Sequence, residues 1–420
     1  MAHERVLVLG CTAATPWTRD QLVRLSEQAR RRGVTLVGAD TAAGLRTASP
    51  DQLSLVDETV AFDVHDPEAC RVWAREQSGI DAVLTVQELC VLPAAVVADE
   101  LGLPGNSPEV VRGIRTKDLC RERLRSAGFA QPRVAVCRDR ADAEAFMRQH
   151  IGPWVVKPRD GFGSTGVSLV HNAAELTGAL AALANLSASL GKFGVHGVGG
   201  PREFLIETFV DGAEFSAEGV LVGGTPRVLA ITAKHTNEDF IETGHRVAPD
   251  TEPALADTVA RAITAAGVTH GAFHVEFWVT AFGIVLGEVH ARPGGDYIHA
   301  LVEHSRPGLE LYGLMIDDLL GRTLTPVPAQ TRAAGTDFLL LPEGRVRTVR
   351  GWADVVSHQG VLAADLWVGA GDEVGVVTDN LDRHGVIVVG AQEQRDVDQA
   401  LADLRAGLVV DVVEHRVLAA

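Results

Sequence analysis

Apolar and polar positions follow two periods along this chain. Residues 5–10 (RVLVLG) are an apolar run closed by glycine, which predicts a buried strand. A helical period follows over roughly Trp17 to Arg32, then a second strand at VTLVGAD (34–40). A third strand is predicted at DAVLTV (81–86), with a helix through ELCVLPAAVVADELG. Strands alternating with helices predict a parallel sheet covered by helices, in an α/β lobe that ends near LGLPGNSPE.

Beyond this lobe, residues 108–132 read as a helix pair that carries Lys117. Residues 154–170 read strand, loop, strand: WVVKP, RDGFGSTG, VSLV. A helix (AAELTGALAALANL) and a glycine-rich stretch (GKFGVHGVGGP) come next, the latter expected to be mobile. Strands are predicted at FLIETFV and AEFSAEGVLVG, joined by a DG turn, and at VLAITAKHT. An amphipathic helix over 253–266 leads into 273–296, where strands around Glu276 and Glu288 flank a turn at Ala281–Phe282–Gly283. A helix at about 308–321, a linker (PVPAQTRAAG), and a strand-rich tail from about 336 complete the pattern. The tail ends in the helix DVDQALADLRAG and one more apolar run.

A chain of 420 residues exceeds one ordinary core and implies two to four lobes. A formal charge of −17 argues against non-specific nucleic-acid binding, which needs a basic surface. The N-terminus lacks the pattern of a signal peptide, and no apolar run is long enough to span a bilayer. The five cysteines are scattered and never form a CxxC pair. The simple reading is a reduced cytoplasm without zinc or disulfides.

The densest chemistry lies in FHVEFWVTAFGIVLGEVHARPGGD, residues 273–296. Adjacent antiparallel strands can bring Glu276 and Glu288 to one sheet face, as a hard cation such as Mg²⁺ requires when it also takes phosphate oxygens. Arg292, just beyond, offers a fork for a phosphate or carboxylate. Upstream, Lys157 sits in a strand before the loop Gly161–Phe162–Gly163–Ser164–Thr165–Gly166. That loop is either a plain turn or a cover for phosphates; the lysine beside it favours the second. The GxxxxGK[ST] pattern is absent, so it is no Walker loop. The first glycine turn, GCTAAT, lacks GxGxxG spacing and reads as a generic turn or the rim of a small-molecule site. Glu88 reads either as a contact to substrate or as a helix N-terminal acid. Glu218 is either a third carboxylate on the site face or a solvated one. Taken alone, His245 is a surface histidine or a site residue, and Lys117 a solvated lysine.

Taken in order, these pieces resemble the ATP-grasp superfamily. The matching set is Lys117, Lys157 in VVKP, the GFGSTGV loop, Glu207–Thr208–Phe209–Val210, Glu214, Glu276, Glu288 and Arg292. Lys234, IETGHRVAP (241–249) and EVHARPGGDYI (288–298) are further similar to the L-amino-acid ligases, which join amino acids into dipeptides and related amides.

The resemblance implies an α/β ATP-grasp architecture with a Rossmann-like N-terminal lobe, central ATP-grasp lobes and a C-terminal β-rich lobe. The expected division is 1–107, an N-terminal α/β domain; 108–190, a small lobe with the helix pair and glycine loop; 191–325, a large lobe with the metal and substrate site; and 326–420, a linker and C-terminal α+β domain. The tail also loosely resembles the biotin-carboxylase-like branch.

The resemblance further implies ATP bound by Lys117, Lys157, Gly161–Gly166, Glu207, Phe209, Val210 and Glu214. It implies Mg²⁺, or Mn²⁺ in its place, on Glu276, Glu288 and His290. Arg292, Lys234 and His245 would be catalytic; Glu88, Gly294, Gly295 and Asp296 would meet substrate. His290 departs from the family, which usually has asparagine there. The implied reaction is carboxylate–amine ligation through an acyl phosphate, giving ADP. A thiol or hydroxyl acceptor, a biotin-dependent carboxylase and a non-catalytic nucleotide binder are the alternatives. The ETGH segment and the lack of a carrier lysine flanked by methionines speak against the carboxylase. The intact lysines, acids and arginine speak against the non-catalytic binder. The partners expected are small carboxylates and amines, without nucleic acid or membrane, and a homodimer is suggested by the resemblance alone.

Overall fold

A computed structural model describes residues 4–12, 15–161, 163–184, 203–249 and 252–413. Phe162 and the 191–200 glycine stretch, both singled out above, lie outside these residues. The N-terminal sheet has strands β1 (Arg5–Leu9), β2 (Thr35–Asp40), β3 (Glu58–Ala61) and β4 (Ala82–Thr85). Their spatial order is β3-β2-β1-β4, all parallel. Val6, Leu7, Val8 and Leu9 are fully buried, as expected of a strand covered on both faces. The edge strand β3 was not predicted: its sequence, ETVA, is largely exposed and carries no apolar run.

A small lobe follows. The predicted helix pair is Pro108–Arg115 and Lys117–Ser126, meeting at Thr116, which ends one helix and starts the next. Strands β5 (Val134–Cys137), β6 (Trp154–Pro158), β7 (Ser168–Val170) and β8 (Phe204–Thr208) form an antiparallel sheet ordered β5-β8-β6-β7. Helices Arg140–Gln149 and Leu176–Ala184 cover it through Phe146, Leu176 and Leu183.

The remaining strands are β9 (Ala213–Val222), β10 (Thr225–Thr236), β11 (Glu242–Val247), β12 (Ala272–Thr280), β13 (Gly283–His290), β14 (Ala333–Leu339), β15 (Gly344–Arg350), β16 (Val361–Leu366), β17 (Glu373–Val374), β18 (Gly385–Ala391) and β19 (Val409–Val413). Eight of them make one sheet, β13-β12-β9-β10-β11-β14-β18-β16; the others pair as β17-β15-β19. The segment read as a linker ends in β14, and through β14, β18 and β16 the tail extends the same sheet that bears Glu276 and Glu288.

Period-two alternation decides the two faces of this sheet. Ala217, Leu221, Val275 and Phe277 point to one side and bury against the helix Pro253–Ala266 through Val259, Ala262 and Ile263. The opposite face is polar toward one end. At the other end Val220 and Ala272 join the core of the helices Ile298–Ser305 and Leu311–Leu319. One helix at 308–321 was expected; two are found. The earlier one is buried at Ile298, His299, Ala300, Leu301 and Val302, so no amphipathic stripe marks it. Among the described residues no helix is long and apolar enough to cross a membrane.

Candidate active site

The polar face is assembled by register. His274 pairs across the sheet with Glu218, Glu276 with Ser216, and Trp278 with Glu214. His274 also stands opposite His290 on the other flank. Lys234 is opposite His245, and His245 opposite Thr336. Alternating side chains from six neighbouring strands therefore share one surface.

At its centre Lys234 Nζ lies 2.8 Å from Glu276 Oε1, 3.0 Å from Glu242 Oε1 and 3.1 Å from Glu214 Oε1. Three carboxylates meet one buried ammonium. Burial works to raise the Glu276 pKa; Lys234, His274 and His290 outweigh it and hold the group well below the usual carboxylate range. Glu214 moves the other way: burial and its like-charged neighbours Glu276 and Glu242 raise it despite Lys234. Glu242 also accepts from His245, whose Nε2 is 2.6 Å from Oε2.

Glu288 reaches the small lobe. Its oxygens lie 3.3 Å from Lys117 Nζ and 3.3 Å from Lys157 Nζ. These lysines outweigh burial and hold Glu288 down at about 2. Lys117 Nζ also donates to Gly161 O at 2.5 Å, which ties the helix pair to the glycine loop. Lys157 contacts Glu207 Oε2 at 3.1 Å, and Glu207 is gripped in turn by the fully buried Arg121.

A third cluster forms around Glu88. Its carboxylate takes Arg292 Nε at 2.6 Å, Arg115 Nε at 3.0 Å and His290 Nδ1 at 3.1 Å. Burial is overcome by Arg292, His290 and Arg115, so Glu88 stays well below the ordinary range. The N-terminal lobe thus delivers one acid directly onto the Arg292 guanidinium.

Glu88, Lys117, Lys157, Gly161, Glu207, Glu214, Lys234, His245, Glu276, Glu288, His290 and Arg292 are therefore placed in one connected network. Glu207 lies inside it as a buried ion-pair partner. Phe209 and Val210 lie just past the end of β8, with Phe209 37% exposed and its N–H bonded to Pro153 O. The loop at Gly163–Gly166 turns through positive φ at Gly163, Ser164 and Gly166, while Thr165 is buried. Gly294 and Gly295 carry the chain close over the polar face. A β-carbon at Gly294 would stand 2.8 Å from Glu218 Oε2 and 3.1 Å from Ile298, so a larger residue there would have to displace the Glu218 carboxylate. Asp296 accepts from Arg383 Nη2 at 2.7 Å.

The pattern reading missed four contributors. His274, bonded to Glu218 at 2.9 Å and raised to about 9 by Glu218 and Glu276 against the pull of burial, lies two residues before Glu276 and is findable by alternation. Arg121, Asn380 and Arg383 act across long sequence separations and have no local signal. Glu218 proves to be a buried partner of His274 and Ser216 rather than a solvated acid.

The donor chemistry fits a hard divalent cation: Glu276 and Glu288 sit on paired strands and both remain ionised. Among the described residues no three histidine, cysteine or acidic groups converge as a ready-made metal cage. Lysines hold these carboxylates instead.

Three family matches cover successive parts of the chain: an ATP-grasp N-terminal domain at 26–105, an ATP-grasp domain at 151–300, and L-amino acid ligase C-terminal domain 2 at 337–413. Human carnosine synthase 1 is 29% identical over 279 residues, 61% of this chain and 32% of the human protein. The match thus spans about a third of that relative's length. Dapdiamide A synthase of Enterobacter agglomerans is 25% identical over 349 residues, 78% of each chain. The crystal structure of an L-amino acid ligase from Bacillus licheniformis superposes with a TM-score of 0.77 at 20% identity, covering 99% of this chain and 100% of that one. Fold, motif order and family matches agree, and the chain belongs to the ATP-grasp superfamily, in its L-amino-acid-ligase-like group.

Proposed function

We propose that this protein is an ATP-dependent carboxylate–amine ligase. It would join an amino acid or other carboxylic acid to an amine through an acyl phosphate, with release of ADP and phosphate. The observation that carries this reading is Glu288 set between Lys117 and Lys157, on the same sheet face as the Lys234–Glu276 pair. Cations that can neutralise phosphates and carboxylates that can hold a metal already lie in contact.

In this reading Lys117 and Lys157 turn from Glu288 to phosphate oxygens. The Gly161–Gly166 loop covers the phosphates, Glu207–Val210 borders the base, and Glu214 meets the ribose. Glu276 and Glu288, with His290, would hold Mg²⁺ or Mn²⁺, which supplies neutralisation of phosphate charge. The substrate carboxylate attacks the γ-phosphorus, and ADP leaves. The amine then attacks the acyl carbon, and phosphate leaves. Arg292 stabilises charge on the transferring phosphoryl group and on the tetrahedral centre. His245, paired with Glu242, and Lys234 line the same surface, while Glu88, Gly294, Gly295 and Asp296 border the substrate.

The relatives named for carnosine and dapdiamide synthesis favour an amine acceptor. The test is a matrix of amino acids and other carboxylic acids against amines, with ATP and Mg²⁺, read by phosphate release and product mass. Phosphate release that needs both partners, with a product at their summed mass less water, is expected. Release indifferent to the amine would reject the reading.

A further inference from the structure

Among the described residues, four non-glycine positions have a left-handed backbone: Ser164, Phe240, Asp296 and Tyr297, with φ of 57°, 60°, 51° and 62°. This conformation is disfavoured for a residue with a β-carbon and persists only where the surroundings impose it. Phe240 closes a local turn on Asn237. The other three are each held by a side chain from one C-terminal stretch, residues 365–383.

Arg383 Nη2 donates to Asp296 Oδ1 at 2.7 Å. The Tyr297 hydroxyl donates to Asp365 Oδ2 on β16. Asn380 Nδ2 lies 3.4 Å from Ser164 Oγ, and the Asn380 N–H donates to Gly163 O. The same stretch grips the head of β11. Asn380 Oδ1 accepts from the Glu242 N–H at 2.9 Å, and Asn380 Nδ2 donates to Glu242 Oε1 at 3.2 Å. Arg383 binds the Asn380 carbonyl at 2.6 Å and lies 3.6 Å over the Phe338 ring, with no side-chain exposure. A buried guanidinium with its fork engaged and its plane stacked is a rigid strut. Together Arg383 and Asn380 connect the loop after Arg292, the glycine loop and Glu242, whose carboxylate faces Lys234 and His245.

We propose that Arg383 is a positioning residue. Supported by Asp365 and Asn380, it fixes the left-handed Asp296–Tyr297 pair and so the Arg292–Gly295 segment in register with Glu242. The kinetic consequence rests on the ligase reading; the structural one does not. When this lock loosens, the acyl phosphate and the amine lose alignment, and water takes the place of the amine. Hydrolysis returns the free carboxylate and phosphate, so phosphate is released without an amide.

The test uses Arg383→Lys, which keeps the charge and loses the fork, and Tyr297→Phe, which deletes one hydroxyl and keeps the ring. The second decides the matter if the first does not fold. Hydrogen exchange over 292–300 should be on the order of tenfold faster in both variants, with the N-terminal sheet unchanged. The kcat for amide formation should fall about tenfold, phosphate released per amide should rise above one, and KM for ATP should hold within about twofold. Wild-type exchange over 292–300, or wild-type kcat with one phosphate per amide, overturns the proposal. If the wild type itself forms no amide, the ligase reading fails, and the exchange comparison still decides the role of Arg383.

Discussion

Lys234 Nζ stands 2.8 Å from Glu276 Oε1, so the carboxylate best placed to bind a cation is already balanced by an internal one. The lysine is shared with Glu214 and Glu242, and it is buried. Removing it leaves three acids facing one another in a poorly solvated site, where like charges repel strongly.

Lys234→Gln should therefore destabilise the protein by about 3 kcal/mol. A divalent cation should replace part of the lost charge. Thermal melts with and without Mg²⁺ check this: the Mg²⁺-induced rise in Tm should be larger in the variant than in the wild type. An equal rise in both would mean that the ion does not bind among these carboxylates.

Arg292 donates through Nε to Glu88 and through Nη1 to Pro293 O, which leaves its planar head fixed at the edge of the network. Arg292→Lys keeps charge but loses that geometry. It should cut kcat by about 10²-fold, roughly 3 kcal/mol of transition-state stabilisation. ATP affinity, measured by equilibrium binding, should stay near wild type because Lys117 and Lys157 are untouched. Near-normal turnover would remove Arg292 from the chemistry.

His290 has one ring nitrogen, Nδ1, 3.1 Å from Glu88 and the other, Nε2, 3.6 Å from Glu288. A histidine tied at Nδ1 to one carboxylate and turned with Nε2 toward another that can hold a metal has the placement of an oriented metal ligand. His290→Asn should shift preference from Mn²⁺ toward Mg²⁺, since an oxygen donor suits the harder ion. Metal activation titrated with each ion in both proteins gives the answer; an unchanged preference would mean that the imidazole is not a ligand.

Much of the site was legible because alternation in a strand is a local property. Glu276 and Glu288, on adjacent strands joined by a short turn, had to share a sheet face if the hairpin formed, and they do. The same rule would have found His274, two residues before Glu276. Asn380 and Arg383 were not legible: they reach Glu242 over 138 and 141 residues. Such contacts are set by the sheet order, which places β14 beside β11 and β18 beside β14. The helix at 298–305 escaped for a different reason. It is buried on several sides and begins at a left-handed tyrosine, so it shows neither an apolar stripe nor a usual cap. The contact between lobes was equally hidden: Arg24 pairs with Glu303, and Arg32 with Asp317, across more than 270 positions.

Asp20 lies at that contact, bonded to His299 Nε2 at 2.7 Å and to Arg24. Burial would raise its pKa, but His299 and Arg24 prevail and hold it at about 2. A carboxylate depressed on folding adds stability that is complete above its unfolded pKa, near 4, and is lost as pH falls through about 2. Asp20→Asn should thus cost about 2 kcal/mol at pH 6. The gap to wild type, measured by urea unfolding, should close between about pH 4 and 2. A gap that stays constant over that range would show that the charge of Asp20 is not what binds the lobes.

The most direct measurement follows oxygen. A substrate carboxylate labelled with ¹⁸O is incubated with ATP, Mg²⁺ and an amine, and the phosphate and nucleotide products are analysed by mass. Formation of an acyl phosphate transfers one labelled oxygen from the carboxylate to inorganic phosphate, with ADP formed in equal amount. That is the result expected here. Label appearing in AMP, with pyrophosphate as the partner product, would contradict the account.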